Sequence, residues 1–241
     1  DGIIFVNFRP ERMKQLIDAF TVPNFKEFHI KPYENLKIAS IFKIHKNVPY
    51  DFEETKVDNT FGEYIDNLGY KQVRVAETEK YAHVTHFFDG DRDLSLQNCS
   101  KFLIPSSKVD TYDEKPEMSL SDVTQTVLTL MEDDYDFILV NFANPDLLGH
   151  TGNLKATIQG IEICDYCLGK IVEQGEKYFY DVVITADHGN AEYMIDSNDN
   201  IVTSHTTNLV PFIICNEKYK LVKEGSLKDV IPTIIDIYKI S

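Results

Sequence analysis

The sequence predicts an α/β fold, a mainly parallel sheet sandwiched by helices, with a fragment of a second α/β domain at its N-terminus. Three observations predict it. Short β-branched and aromatic runs alternate with amphipathic segments, the pattern of strands joined by helical crossovers. The runs 136–142 (DFILVNF), 181–185 (DVVIT) and 209–215 (LVPFIIC) are apolar nearly throughout, and such strands need cover on both faces. The chain has 241 residues, room for one large domain or for one medium domain with part of another.

Residues 2–8 read as a strand, and Pro10 opens a helix over 11–20 with Met13, Leu16, Ile17 and Phe20 at helical spacing. Residues 38–45 (IASIFKIH) form a second strand. Residues 47–56 are polar, contain Pro49 and predict a linker or crossover. A helix over 59–68 stops at Asn67-Leu68-Gly69, and the rhythm then changes. Residues 72–76 are a strand, and 89–102 a polar, irregular loop. Residues 119–132 are an amphipathic helix, capped by Ser119 or Ser121, with Val123, Val127, Leu128 and Met131 inward. After the strand 136–142 come a long helix over 153–176, the strands 181–185 and 209–215, and a closing helix over 227–238. In such sheets ligands bind beyond the carboxyl ends of the strands.

The net charge of −15 repels nucleic acid and anionic membrane, which sets both aside as partners. No apolar run reaches the roughly 20 residues of a membrane span, and no signal peptide is evident. Cys164 and Cys167 form a C-x-x-C inside the helical run 158–172, without a second pair or a surrounding turn. That favours small buried hydrophobes over a zinc or redox site. Because the chain starts at Asp1, directly before a strand, upstream sequence is expected.

Three polar clusters flank the buried strands. Asp146 and His150 follow the strand 136–142, Asp187 and His188 follow 181–185, and His205 precedes 209–215, all read as loop positions. Imidazole suits Zn or Mn, and carboxylate suits Mn or Mg. Five ligands are too many for one tetrahedral site with an open position and fit better as shares of two ions, which clamp a transferring phosphoryl group. A lone histidine near a strand end is more often structural, but three such clusters beside Gly or Asn turn residues favour metal. Candidates for positive charge toward an anionic substrate are Arg9 and Arg12 at a strand-to-helix junction, whose spacing alone favours a surface pair, and Lys80, which reads equally as a solvated lysine.

The strings NFRPER, AETEKYAHVTHFF, KVDTYDEKPEMS, NFANPDLLGHTG, TADHGNAE and SHTTNLVPF, in that order, resemble cofactor-independent phosphoglycerate mutase across nearly the whole chain. TADHG alone would mark only the wider alkaline-phosphatase superfamily. The resemblance implies an alkaline-phosphatase-like fold and interconversion of 3-phosphoglycerate and 2-phosphoglycerate in glycolysis and gluconeogenesis. It implies a phosphoserine intermediate, two Mn ions (Co or Zn in some members), no 2,3-bisphosphoglycerate, a cytoplasmic location and a monomeric full-length form. Asp146, His150 and His205 then resemble the ligands of one ion, and Asp187 and His188 ligands of the other. Arg9 and Arg12 resemble substrate-binding arginines. Lys80 resembles the catalytic lysine that contacts the phosphoryl group, with His83 as a support behind the site.

Members of that family are about twice this length. The resemblance therefore makes residues 1–56 the tail of the substrate-binding domain and 57–241 an alkaline-phosphatase-like domain without its N-terminal segment. No serine here stands in the family's nucleophile motif, Ser106 and Ser107 included, so this chain alone is expected to be inactive. Two alternatives stay open: another phosphomutase or phosphohydrolase of the superfamily, and a non-catalytic metal-binding remnant.

Overall fold

The computed structural model of the chain describes residues 1–7, 10–31, 33–53 and 57–240, and of residues 10–12 the backbone alone. It divides into two units, residues 1–56 and 57–241. In the first, β1 (Gly2–Phe5), α1 (Pro10–Thr21), β2 (Lys37–Phe42) and β3 (Tyr50–Phe52) form a parallel sheet in the order β1-β2-β3. Met13 and Ile17 of α1 pack with Val48, Phe5, Ile38 and Ile44. The expected linker over 47–56 thus contains a strand. Pro49 enters it with only its carbonyl bonded, to the Ser40 N–H (2.9 Å), as suits a residue that cannot donate at a sheet edge. The first strand ends at Phe5 rather than 8, and Phe8 lies outside the described residues.

The second unit opens with α2 (Phe61–Asn67), where the Glu63 carboxylate accepts the Thr60 N–H (2.9 Å). Gly69, at φ 83°, turns the chain out of the helix in a conformation that costs a side chain energy. Next come β4 (Gln72–Glu77), the short helix α3 (Tyr81–Val84), β5 (Cys99–Ile104), α4 (Leu120–Leu130) and β6 (Phe137–Asn141). They build a parallel sheet ordered β5-β4-β6, with Gln72 level with Cys99 and Phe137. All six residues of β4 are buried. Val73 and Val75 pack under Val123, Val127, Leu130 and Met131 of the α4 segment and Ile171. On the opposite face Phe61 of α2 meets Phe137 edge-on, with ring centroids 5.1 Å apart. Helices therefore cover both faces, as the apolar strands require.

Strand β5 lies in the stretch expected to be a loop. Its exposed Phe102 and Leu103 mark an outer strand, and Lys101 points at Asp89 (3.5 Å). Ser119 does precede α4, but its hydroxyl donates to the Pro105 carbonyl (2.8 Å) and does not cap the helix. Beyond β6 run α5 (Asn144–Thr151), α6 (Leu154–Tyr178), β7 (Val183–Thr185), β8 (Phe212–Ile214) and α7 (Val230–Tyr238). Strands β7 and β8 pair antiparallel in a separate two-stranded sheet, the exception within an otherwise parallel pattern among the described residues. Cys164 and Cys167 are buried in α6 beside Leu120 as free thiols, and burial pushes the Cys164 thiol up to about 12. Among the described residues no helix is long and apolar enough to cross a membrane.

Candidate metal centre

Asp146 and His150 stand on α5, not in a loop. Pro145 occupies the first turn, where its missing N–H costs nothing, and Gly152 at φ 74° ends the helix. The four-residue spacing puts both side chains on one face. His205 comes from the loop ahead of β8, which is tied back by the Thr206 N–H donating to the Gly189 carbonyl (2.8 Å).

Three donor atoms converge. Asp146 Oδ1 lies 3.1 Å from Nε2 of His150 and 3.1 Å from Nε2 of His205, and the two nitrogens are 3.0 Å apart. His150 Nδ1 is 2.6 Å from the Thr203 carbonyl, which only accepts, so the ring proton sits on Nδ1 and Nε2 presents a lone pair. Burial and the neighbouring His188 push the His205 imidazole down from its usual range, against the pull of Asp146, and so favour the neutral ring. Lone pairs from three atoms at this separation repel unless a cation or proton lies among them. Donors around an ion with bonds of about 2.1 Å stand roughly 3.0 Å apart in octahedral and 3.4 Å apart in tetrahedral geometry. The set fits a divalent ion.

The other carboxylate oxygen of Asp146 pairs with Lys80, whose side chain is nearly buried. Asn190 Nδ2 donates to Asp146 Oδ1 (2.8 Å) and to its backbone carbonyl (3.1 Å). Burial opposes ionisation of Asp146, but the Lys80 ammonium and the Asn190 amide outweigh it and bring the carboxyl down to about 2. Lys80 is itself held from behind. The buried Glu77 carboxylate accepts the Ser106 hydroxyl (2.8 Å), and the Ser106 N–H donates to Thr78 Oγ1 (3.1 Å). These bonds tie the end of β4 and the 3-10 turn Thr78–Lys80 to the segment just past β5. Burial pushes the Glu77 carboxyl up, with the Ser106 bond opposing.

Of the five residues expected to hold metal, the structure assembles three: among the described residues Asp146, His150 and His205 are the only such group. His188 stacks on His205 (centroids 3.6 Å, planes 20° apart), and its Nδ1 is buried without a hydrogen-bond partner. Asp187 lies 3.4 Å from His188 Nε2 and is largely exposed. These two border the centre without joining it. His83 packs edge-on against Phe87 (5.2 Å), and burial together with Lys80 pushes its imidazole down. Arg9 lies outside the described residues, and so does the side chain of Arg12. Sequence reasoning missed Asn190, Thr203 and Glu192. Glu192 accepts the Asn190 N–H (2.6 Å), the Thr206 hydroxyl and the Asn208 amide (3.0 Å), clamping the His188 loop to the His205 loop.

A methyl group at Gly149 would press on the Asn190 amide, with Asn190 Cγ at 2.7 Å. Gly149→Ala is therefore expected to displace Asn190 from Asp146 and weaken divalent-ion binding about 10–100-fold, the range for partners that orient a ligand. Calorimetric titration with Zn2+ checks it, and an unchanged affinity would remove Asn190 from the site.

A family model described as the Metalloenzyme superfamily matches residues 19–241. The chain belongs to that superfamily. It is similar to curated 2,3-bisphosphoglycerate-independent phosphoglycerate mutases. It is 44% identical to that of Gracilaria tenuistipitata var. liui over 248 aligned positions, covering 100% of this chain and 49% of the relative. It is 49% identical to that of Campylobacter jejuni over 208 positions, covering 86% and 42%. A crystal structure of Leishmania mexicana phosphoglycerate mutase at low cobalt concentration superposes with a TM-score of 0.82 at 27% identity, covering 93% of this chain and 46% of that one. The chain thus spans about half the length of the relatives it matches.

Proposed function

We propose that the whole protein interconverts 3-phosphoglycerate and 2-phosphoglycerate through a phosphoserine, with two divalent ions and no 2,3-bisphosphoglycerate. Mn2+ is the expected metal, with Co2+ or Zn2+ as substitutes. The observation that supports it most is the convergence of Asp146, His150 and His205 with Lys80 on the far oxygen of the same carboxylate. When bound, divalent ions there supply charge screening for a phosphoryl group and acidify a coordinated hydroxyl. Lys80 adds a fixed positive charge beside the transferring group. Asp187 and His188 provide part of the second ion's shell, and Arg9 and Arg12 grip the phosphate and carboxylate of the substrate. On this reading residues 1–56 are the end of the substrate-binding domain and 57–241 belong to the metal-binding domain. The protein works in glycolysis in the cytoplasm, as a monomer. The serine comes from polypeptide outside these residues.

The test is a mutase assay on the native protein from its source, stripped with EDTA and restored with Mn2+, beside the 241-residue chain alone. The native protein is expected to be about twice this mass and to regain activity with Mn2+. The chain alone is expected to bind one ion and give no turnover. Turnover by the chain alone would overturn the division of labour. Release of inorganic phosphate in place of isomerisation would point to a phosphohydrolase. A native protein of this length, inactive with metal present, would leave a non-catalytic metal-binding role.

A further inference from the structure

Lys80 and Asp146 come from different elements, the turn Thr78–Lys80 after β4 and the helix α5. Among the described residues, the one hydrogen bond or ion pair between that turn and that helix is their own contact. This contact cannot fix Lys80 once the centre is in use. A divalent ion beside Oδ1 offsets the carboxylate charge and repels the ammonium, and an anion bound nearby competes for it. The place of Lys80 must then be set by other bonds.

The segment 105–119, between β5 and α4, is bonded to both sides. On the Lys80 side, the Ser106 hydroxyl donates to the buried Glu77 (2.8 Å), its N–H donates to Thr78 Oγ1 (3.1 Å), and the Tyr112 hydroxyl donates to Glu79 Oε1 (3.0 Å). On the Asp146 side, Asn144 opens α5 with a fully buried side chain, and its amide donates to the Pro116 carbonyl (2.7 Å). Asn153, which caps α6 just beyond α5, donates to Asp113 (3.0 Å). The Ser119 hydroxyl donates to the Pro105 carbonyl (2.8 Å) and so joins the two ends of the segment. Buried polar groups such as Glu77 and Asn144 are costly without their partners, which makes both anchor points firm.

We propose that the segment 105–119 is a brace that fixes the Lys80 turn relative to α5 independently of the Lys80–Asp146 ion pair, with Ser106 and Asn144 as positioning residues at its two ends. Neither touches the ion or the anion. Each acts through a residue that does: Ser106 through Glu77, Thr78 and the Lys80 turn, Asn144 through the first turn of the helix that carries Asp146. A charge held in advance stabilises a transferring group more than one that must be brought in, and small misplacements cost large factors. The inference rests on the reading of Lys80 as the charge beside a phosphoryl group and names what keeps it there.

Two measurements on the chain test it. Without metal, Asp146→Asn removes the ion pair. Amide exchange at Lys80 and Tyr81 is expected to stay within about threefold of the parent, and adding Ser106→Ala is expected to speed it about 10-fold or more while Val73 and Val75 are unchanged. With Mn2+ bound, inorganic phosphate is titrated and followed by phosphorus NMR relaxation. Ser106→Ala and Asn144→Ala are each expected to weaken phosphate about 10-fold, because either one cuts the same brace. The double variant is expected to lose no more, and Ser106→Thr to restore binding, with Mn2+ affinity within about threefold throughout. Faster exchange in Asp146→Asn alone would overturn the proposal, since the ion pair would then be what holds the turn. So would losses that multiply in the double variant, or Mn2+ affinity that falls in parallel, as a general loosening of the fold would give. A parent chain that binds neither Mn2+ nor phosphate would sink the functional reading, and the exchange result would then decide the brace alone.

Discussion

Replacing Asp146 by alanine is expected to abolish ion binding and to destabilise the chain. Its carboxylate is the one group that all other members of the centre touch: two imidazole nitrogens, the Asn190 amide and Lys80. Loss of a direct ligand should exceed the 10–100-fold effect of orienting partners, so the Mn2+ or Zn2+ affinity should fall by more than about 100-fold. Removing the carboxylate also leaves the Lys80 ammonium, 8% exposed, without its partner. Breaking a buried pair from one side costs about 3–5 kcal/mol, somewhat less here because Asp146 retains 16% exposure. Asp146→Asn keeps the shape and the Asn190 contact on one oxygen, so it should lose affinity with a smaller stability cost. Calorimetry and urea unfolding in EDTA separate the two effects. A dissociation constant within threefold of the parent would show that the metal, if bound, is held elsewhere.

The largest loss of stability is expected at Asp89→Ala. Arg74, in the centre of β4, and Asp89 are both fully buried and 2.7 Å apart. Arg74 also donates to Gln72 (3.0 Å) and lies over the Phe88 ring (4.9 Å). Truncating Asp89 strands a guanidinium that can neither lose its proton nor reach water. The expected cost is about 3–5 kcal/mol, a large part of the 5–15 kcal/mol that holds a typical domain. Gly62→Ala attacks the same pair by crowding, since a methyl group there would overlap the Arg74 guanidinium. It should cost about 1–3 kcal/mol. Urea unfolding measures both, and a loss below about 1 kcal/mol for Asp89→Ala would mean that water reaches Arg74 after all.

Strands β6, β7 and β8 were legible because a nearly unbroken apolar run has few other uses. Strand β5 was not, because Cys99-Ser100-Lys101 begins it with polar groups that serve Asp89 and solvent, and polarity alone reads as loop. Strand β3 is too short to show a period. Helix α5 was hidden by Pro145, Gly149 and Gly152, punctuation that marks a loop until the proline falls in a first turn and a glycine at the cap. The four-residue step from Asp146 to His150 was the available signal for it. The Asp and His clusters announced themselves through residue type. Asn190, Thr203 and Glu192 did not, because a hydrogen-bond partner supplied by a distant loop, or by a backbone carbonyl, leaves no spacing to read.

Helix α5 delivers two of the three donors at a spacing the backbone has already fixed, and only His205 must be brought in, 55 residues further along. The entropy of assembling the centre is therefore concentrated in one loop. That loop is fastened mainly through the Glu192 carboxylate and the Gly189–Thr206 bridge. Ion capture becomes a question of how often one latch is shut, so affinity and exchange rate can be tuned at the latch while every ligand stays the same.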